Sequence, residues 1–198
     1  TEGSALSDAG SIAFADLDLT DRPTATEATK SVVATKAGGT VLLLTAAQQA
    51  AIENAFTITP STTNTNNGTI NWNYSITEGY LNFLAAGENV TAVFTVTVID
   101  NNGSTLTQDV TVNITGTNDV PVLIATDVAG VITEGSALSD AGSIAFADLD
   151  LTDRPTATEI TKSVVATKAN GTGLLLTAAQ QAAIENAFTI TPSTTNTN

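Results

Sequence analysis

Histidine, cysteine and methionine are all missing from the 198 residues, and tryptophan occurs once. Without imidazole or thiolate there is no Ser-His-Asp triad, no cysteine nucleophile and no Cys/His zinc site, so any bound metal must be a hard cation held by oxygen. Basic residues are scarce as well: 6 Lys and Arg stand against 20 Asp and Glu, a net charge of −14. A chain this acidic repels phosphate backbones and anionic lipid at long range, so neither a nucleic-acid partner nor membrane insertion is expected. No apolar run approaches the roughly 18 residues of a membrane-crossing helix, and no basic-then-apolar leader stands at the N-terminus. The lack of cysteine suits an extracellular repeat protein that draws its rigidity from something other than disulfides.

The composition nevertheless supports a folded core. Hydrophobic residues make up 42% of the chain and the mean hydropathy is +0.16, too apolar for a disordered acidic tail. Ala, Val, Leu and Ile dominate, aromatics contribute 5%, and threonine is abundant. That mixture favours many short, half-buried strands and an all-β fold.

The segment TEGSALSDAGSIAFADLDLTDRPTATE at 1–27 recurs at 133–159, an offset of 132 residues. The match runs on without a gap, so that 63 of 66 positions agree between 1–66 and 133–198; the exceptions are Ala28/Ile160, Gly38/Asn170 and Val41/Gly173. The chain is therefore one and a half copies of one unit, the pattern of a tandem array serving as spacer or fibre. We expect a first β-sandwich repeat at 1–120 that lacks the start of its first strand, a linker and first strand of the next repeat at 121–132, and the first half of a second repeat at 133–198. Half a unit cannot cover its own apolar face. Either the sequence is an excerpt of a longer polymer, or a like chain supplies the missing strands.

Within the unit, Ile12 and Phe14 read as a strand that bends where Asp16 and Asp18 emerge, and residues 24–35 read as a second strand. Thr45 is placed to cap a short helix through residues 46–55, with Ile52 and Phe56 pinning it to the domain. Val90, Ala92, Phe94, Val96 and Val98 alternate with threonines, and Val110, Val112 and Ile114 alternate on a returning segment. Residues 90–115 are thus a hairpin turning at 100–104. About seven strands with regular turn signals predict a two-sheet Greek-key sandwich carrying one short inserted helix per repeat.

The run from Ala85 to Pro121, ending in ThrGlyThrAsnAspValPro, resembles the ending of VCBS-type, cadherin-like repeats in large bacterial surface proteins and type I secreted adhesins. IleThrGluGlySer at 132–136 and PheAlaAspLeuAspLeuThrAsp at 146–153 resemble the opening of the next repeat. The resemblance implies tandem Ig/cadherin-like sandwiches, export to the cell surface, roles in adhesion or biofilm, and Ca²⁺ at domain junctions. It also implies that Glu88, just before the Phe94 strand, faces the junction, while a further family aspartate two positions earlier is Ala86 here.

The chemistry of such a junction follows from charge. Calcium takes six to eight oxygens at about 2.3–2.6 Å, which convergent loop carboxylates supply. The exit of the first repeat offers Asn118 and Asp119, and the entry of the next offers Glu134 and the Asp148-x-Asp150-x-x-Asp153 turn. Carboxylates crowded into one corner repel one another unless a cation joins them. By the same reasoning Asp100, in the hairpin turn, stands with Glu2, Asp16, Asp18 and Asp21 as the receiving half of a second site.

These readings point to an extracellular structural spacer of a repetitive adhesin or surface fibre, stiffened by Ca²⁺ and contacting neighbouring repeats, with any glycan or protein receptor bound elsewhere in the parent protein. One alternative is a carbohydrate- or surface-binding module using Trp72, Tyr74 or Tyr80. Another is a subunit of a filament or surface layer completed by neighbouring chains. No catalytic residue and no organic cofactor is assigned, because acids at a domain end beside turns suit a cation better than the flanked cleft of a glycosidase.

Overall fold

In the computed structural model, residues 5–193 are described, and the chain divides into two compact units between Thr152 and Asp153. The first unit holds the first copy of the repeat together with the opening of the second. Its strands are β1 (Ala5–Ala15), β2 (Thr24–Thr35), β3 (Val41–Leu42), β4 (Phe56–Pro60), β5 (Asn67–Thr77), β6 (Asn89–Ile99), β7 (Thr105–Thr115), β8 (Val122–Thr126) and β9 (Ile144–Ala147). Helix α1 (Ala46–Glu53) lies between β3 and β4, and a single 3₁₀ turn, Glu78–Tyr80, follows β5. Every strand pairing is antiparallel: one sheet has the order β1-β5-β4, the other β3-β2-β6-β7, and β8 and β9 form a ribbon of their own. Among the described residues the chain is all-β apart from short helices, none of them long and apolar enough to cross a membrane.

The period-two pattern of β6 does what alternation dictates. Val90, Ala92, Phe94, Val96 and Val98 are buried, and β7 adds Val110 and Val112 in register opposite Phe94 and Ala92. Phe94 joins the two large sheets: its ring stacks on Phe56 of β4 at 4.3 Å between centroids and meets Tyr74 of β5 at 6.1 Å. Trp72 is half-buried, stacks on Phe56 at 6.0 Å, and lies over Gly10, where a Cβ would come within 2.7 Å of the indole. On the outer face, a register shift in β2 between Thr29 and Ser31 accompanies an ion pair from Lys30 to Asp109 at 2.5 Å.

Helix α1 starts where Thr45 and Gln48 make a reciprocal capping box, satisfying two of the amide donors that every helix leaves open. The Thr-x-x-Gln spacing carries that signal in the sequence. Ile52, fully buried, fixes the helix to the core.

The second unit repeats the local parts of this design. It contains β10 (Ala166–Thr167), β11 (Gly173–Leu174) and helix α2 (Ala178–Glu185), with the capping box rebuilt by Thr177 and Gln180. Residues 156–165, the counterpart of most of β2, form no strand, and the apolar side chains stay open: Ile184 is 51% exposed and Phe188 64%.

Candidate metal centre

The corner between the two copies of the repeat is assembled by backbone constraints around Glu88. Gly87 adopts a positive φ of 81°, which a glycine takes without strain and which turns the chain into β6. The Glu88 side chain folds back so that Ala85 N donates to its Oε2 at 3.2 Å, and Glu88 is 2% exposed. β7 then ends at Thr115, and Gly116 N donates to the Glu88 carbonyl at 2.8 Å. The chain passes so close that a Cβ on Gly116 would lie 2.4 Å from the Ala85 carbonyl oxygen and 2.5 Å from that of Leu84. Only glycine fits there.

Beyond Gly116 the exit segment meets the start of the second copy. Asp119 N donates to Asp150 Oδ2 at 2.8 Å, Thr152 Oγ1 donates to Glu88 Oε1 at 2.8 Å, and Leu151 N donates to the Phe83 carbonyl at 3.2 Å. Asp148 and Asp150 are held on one turn, the Asp148 Oδ1 accepting from Asp150 N at 3.0 Å. Asp150 is fully buried, Asp148 is 7% exposed, and their carboxylate oxygens approach within 4.8 Å. Two oxygens that close can both reach one calcium ion at about 2.3–2.6 Å. At an effective dielectric near 20, two unit charges within about 5 Å repel by roughly 3 kcal/mol or more. The donor set is oxygen only.

The same octapeptide at 14–21 supplies a control. Asp18 N donates to Asp16 Oδ1 at 2.9 Å, reproducing the turn, yet Asp16 is half-buried and Asp18 exposed. The turn is local; the burial of Asp148 and Asp150 comes from the Phe83–Asp119 segment, which has no counterpart before Asp18 in this sequence. At that end Asp16, Asp21 and Asp100 bring carboxylate oxygens within 4.8 Å of one another. Asp21 is buried and accepts from Asn102 Nδ2 at 2.8 Å; Asp100 Oδ1 accepts from Asn102 N and Ser104 N at 2.9 and 2.7 Å. Desolvation works to raise the Asp100 pKa, but hydrogen bonds donated by Ser104, Asn102 and Gly103 hold it below its usual value.

Of the other residues singled out from sequence, Asn118 is exposed and its Nδ2 donates to the Asp119 carbonyl at 2.6 Å. Glu134 is exposed in a turn closed by Thr133 N to the Ala137 carbonyl at 2.7 Å. It sits in the closed loop of the β8–β9 ribbon, whose open end, Val122 opposite Ala147, adjoins Asp119 and Asp148. Among the described residues Glu134 is not one of the carboxylates that approach Asp148 and Asp150 within 4.8 Å. Asp153 is the first residue of the second unit, and Glu2 lies outside the described residues. Sequence reasoning passed over three contributors: Gly116, Thr152 and Asn102. Gly116 sits inside the ThrGlyThrAsnAsp run, where its identity alone gives no sign of the close approach. No family model and no curated protein matches the chain.

Proposed function

We propose that this chain is a piece of an extracellular tandem-repeat spacer, of the VCBS-type, cadherin-like kind, whose successive Greek-key sandwiches are locked end to end by calcium. The observation that carries the reading is the corner itself: Glu88 from one copy and Asp148 and Asp150 from the next are buried together, tied by the Asp119 amide and the Thr152 hydroxyl. Burying several carboxylates in one place is costly unless a cation shares them. Glu88, Asp119, Asp148 and Asp150 would hold the ion, which supplies the positive charge that turns their repulsion into a clamp. The clamp fixes the start of a following repeat against the end of the one before, so an array becomes a stiff stalk able to hold an adhesive element away from a bacterial surface. The absence of His and Cys fits a hard-cation site exposed to an oxidising exterior.

Calorimetric titration with Ca²⁺ and Mg²⁺ tests the site, with a melting curve in each. Calcium binding at about 10⁻⁴–10⁻³ M and a calcium-specific rise in melting temperature are expected. Equal response to the two ions, or none to either, overturns the reading.

A further inference from the structure

We infer that Asn102 is a self-modifying residue: its side-chain amide is lost through attack by the Gly103 backbone nitrogen, leaving aspartate or isoaspartate in the turn between β6 and β7. Asn-Gly occurs three times in the chain, at 67–68, 102–103 and 170–171, and each pair is followed by a hydroxyl residue, Thr69, Ser104 or Thr172. Local sequence therefore gives the three nearly equal reactivity, glycine offering no side chain to hinder the attacking nitrogen. The structure does not treat them alike. Asn67 and Gly68 lie in β5, in register with Ala15 and Phe14, and Asn67 Oδ1 accepts from Asp16 N at 3.1 Å. Asn170 Oδ1 accepts from Thr172 N and Oγ1 at 3.1 and 2.7 Å, while Gly171 N donates to the Lys168 carbonyl at 2.8 Å. The first pair is held in a strand ladder. In the other the nucleophilic N–H faces a carbonyl, which takes up no proton.

At Asn102, carboxylates flank both reacting nitrogens. Asp100 Oδ1 accepts from Asn102 N at 2.9 Å and from Ser104 N at 2.7 Å, and the Gly103 N–H between them also faces that carboxylate. Asn102 Nδ2, the leaving nitrogen, donates to Asp21 Oδ2 at 2.8 Å. Gly103 takes a φ of 101°, which glycine adopts without strain. The step balances with water alone. Gly103 N gives its proton to Asp100 and bonds to Asn102 Cγ, the Cγ–Nδ2 bond breaks, that proton returns to Nδ2 as it leaves as ammonia, and water opens the succinimide to a carboxylic acid. Attacker and target are already neighbours in the chain, so what the fold adds is a base held beside the nucleophile. The product puts a like charge where a donor to buried Asp21 had been, at the end of the sandwich where Asp16, Asp21 and Asp100 already bring oxygens within 4.8 Å of one another. The turn is thus a slow chemical clock that adds negative charge to that end with age.

The test ages the full 198-residue chain at neutral pH in chelator, so that no cation competes for Asp100 and the outcome is separate from calcium binding. Each Asn-Gly pair is followed by proteolysis and mass spectrometry that resolves aspartate from isoaspartate. Conversion at Asn102 should outrun conversion at Asn67 and Asn170 by about a hundredfold or more, the low end of what a positioned general base supplies. Asp100→Asn keeps a hydrogen-bond acceptor in the turn but not the base, and should remove most of that lead. In denaturant the three pairs of the unaltered chain should react at nearly equal rates; this comparison decides alone if Asp100→Asn fails to fold. Equal rates in the folded chain overturn the inference, as does a lead at Asn102 that survives in denaturant or in the folded Asp100→Asn variant.

Discussion

Replacing Asp150 by Asn, with Asp18→Asn as its internal control, separates a cation clamp from an ordinary buried turn. Both residues follow the same Asx turn in the same octapeptide, but Asp150 is fully buried and Asp18 exposed. In chelator, the substitution removes one of two charges whose oxygens lie within 4.8 Å, relieving a repulsion on the order of 3 kcal/mol at an effective dielectric near 20. The Asn carbonyl still accepts from the Asp119 amide, so the hydrogen bond survives. Asp150→Asn should therefore melt several degrees above the parent without calcium. With calcium at about ten times its dissociation constant the parent gains about 1.4 kcal/mol, or roughly 3–6 °C for a unit of this size. The variant should lose that gain, so the order of the two proteins narrows or reverses as calcium is added. Trp72, the single tryptophan, packs on Phe56 in the first unit, and its fluorescence follows that unit's melting. Asp18→Asn should move neither curve. If Asp150→Asn lowers the melting temperature in chelator, or keeps the parent's calcium increment, the clamp is refuted.

Four further outcomes follow from individual contacts. Ile52→Ala should cost about 2–5 kcal/mol in denaturant unfolding, whereas Ile184→Ala, at the identical position of the second copy, should fall within about 0.5 kcal/mol of the parent. The Tyr74 hydroxyl is buried with no hydrogen-bond partner among the described residues, and burial pushes its pKa up to about 12. Tyr74→Phe should thus leave stability unchanged or raise it by about 1 kcal/mol in the same assay. Gly116→Ala drives a methyl into the Leu84 and Ala85 carbonyls, so it should cost about 1–3 kcal/mol and weaken calcium binding by displacing Glu88. Lys30, first by its hydrogen bond, and then Thr95 hold the Asp109 carboxyl below its usual 3.8. A depressed carboxyl stabilises the fold above the unfolded value and loses that effect as pH falls through the folded one. Lys30→Met should move the Asp109 titration, followed by NMR, upward toward 3.8.

Much of the architecture was legible because it is written in local pattern. The alternation in 90–115 predicted β6 and β7 to within a residue, 24–35 coincides with β2, and Thr45 caps α1 as its position before an Ala/Gln run implied. Asp148, Asp150, Asp119 and Glu88 were legible as acids near a repeat boundary; in the structure the carboxylates of Asp148 and Asp150 approach each other, the Asp119 amide donates to Asp150 and the Thr152 hydroxyl to Glu88. What stayed hidden depends on how the ribbon folds back. Nothing in the IleThrGluGlySer run indicates that residues 127–143 form the loop between β8 and β9, where Glu134 stands exposed. Nor does a lone glycine announce that two carbonyls pass within 2.5 Å of where its side chain would be, as at Gly116.

The duplicated sequence separates what a segment encodes by itself from what it borrows. Three substitutions distinguish the copies, and none accounts for the difference in their structures. Gly38 and Val41 become Asn170 and Gly173 around a hairpin loop that is unchanged: Gly39 and Gly171 hold φ of 79° and 82°, and the closing hydrogen bonds are 2.8 Å in both. Such a three-residue loop needs its left-handed position filled by glycine and tolerates polar residues before it. Ala28 becomes Ile160, a gain in apolar surface and strand preference, yet its segment pairs with nothing while the Ala28 segment pairs with β6. Turn, hairpin base and capped helix survive in both copies; the 11- and 12-residue strands β1 and β2 form in full only where β5 and β6 lie beside them. The buried corner obeys the same rule. The Asx turn is present twice, but its carboxylates are withdrawn from water only where the end of a preceding copy closes over them, so the candidate calcium site belongs to the succession of repeats and not to any one of them.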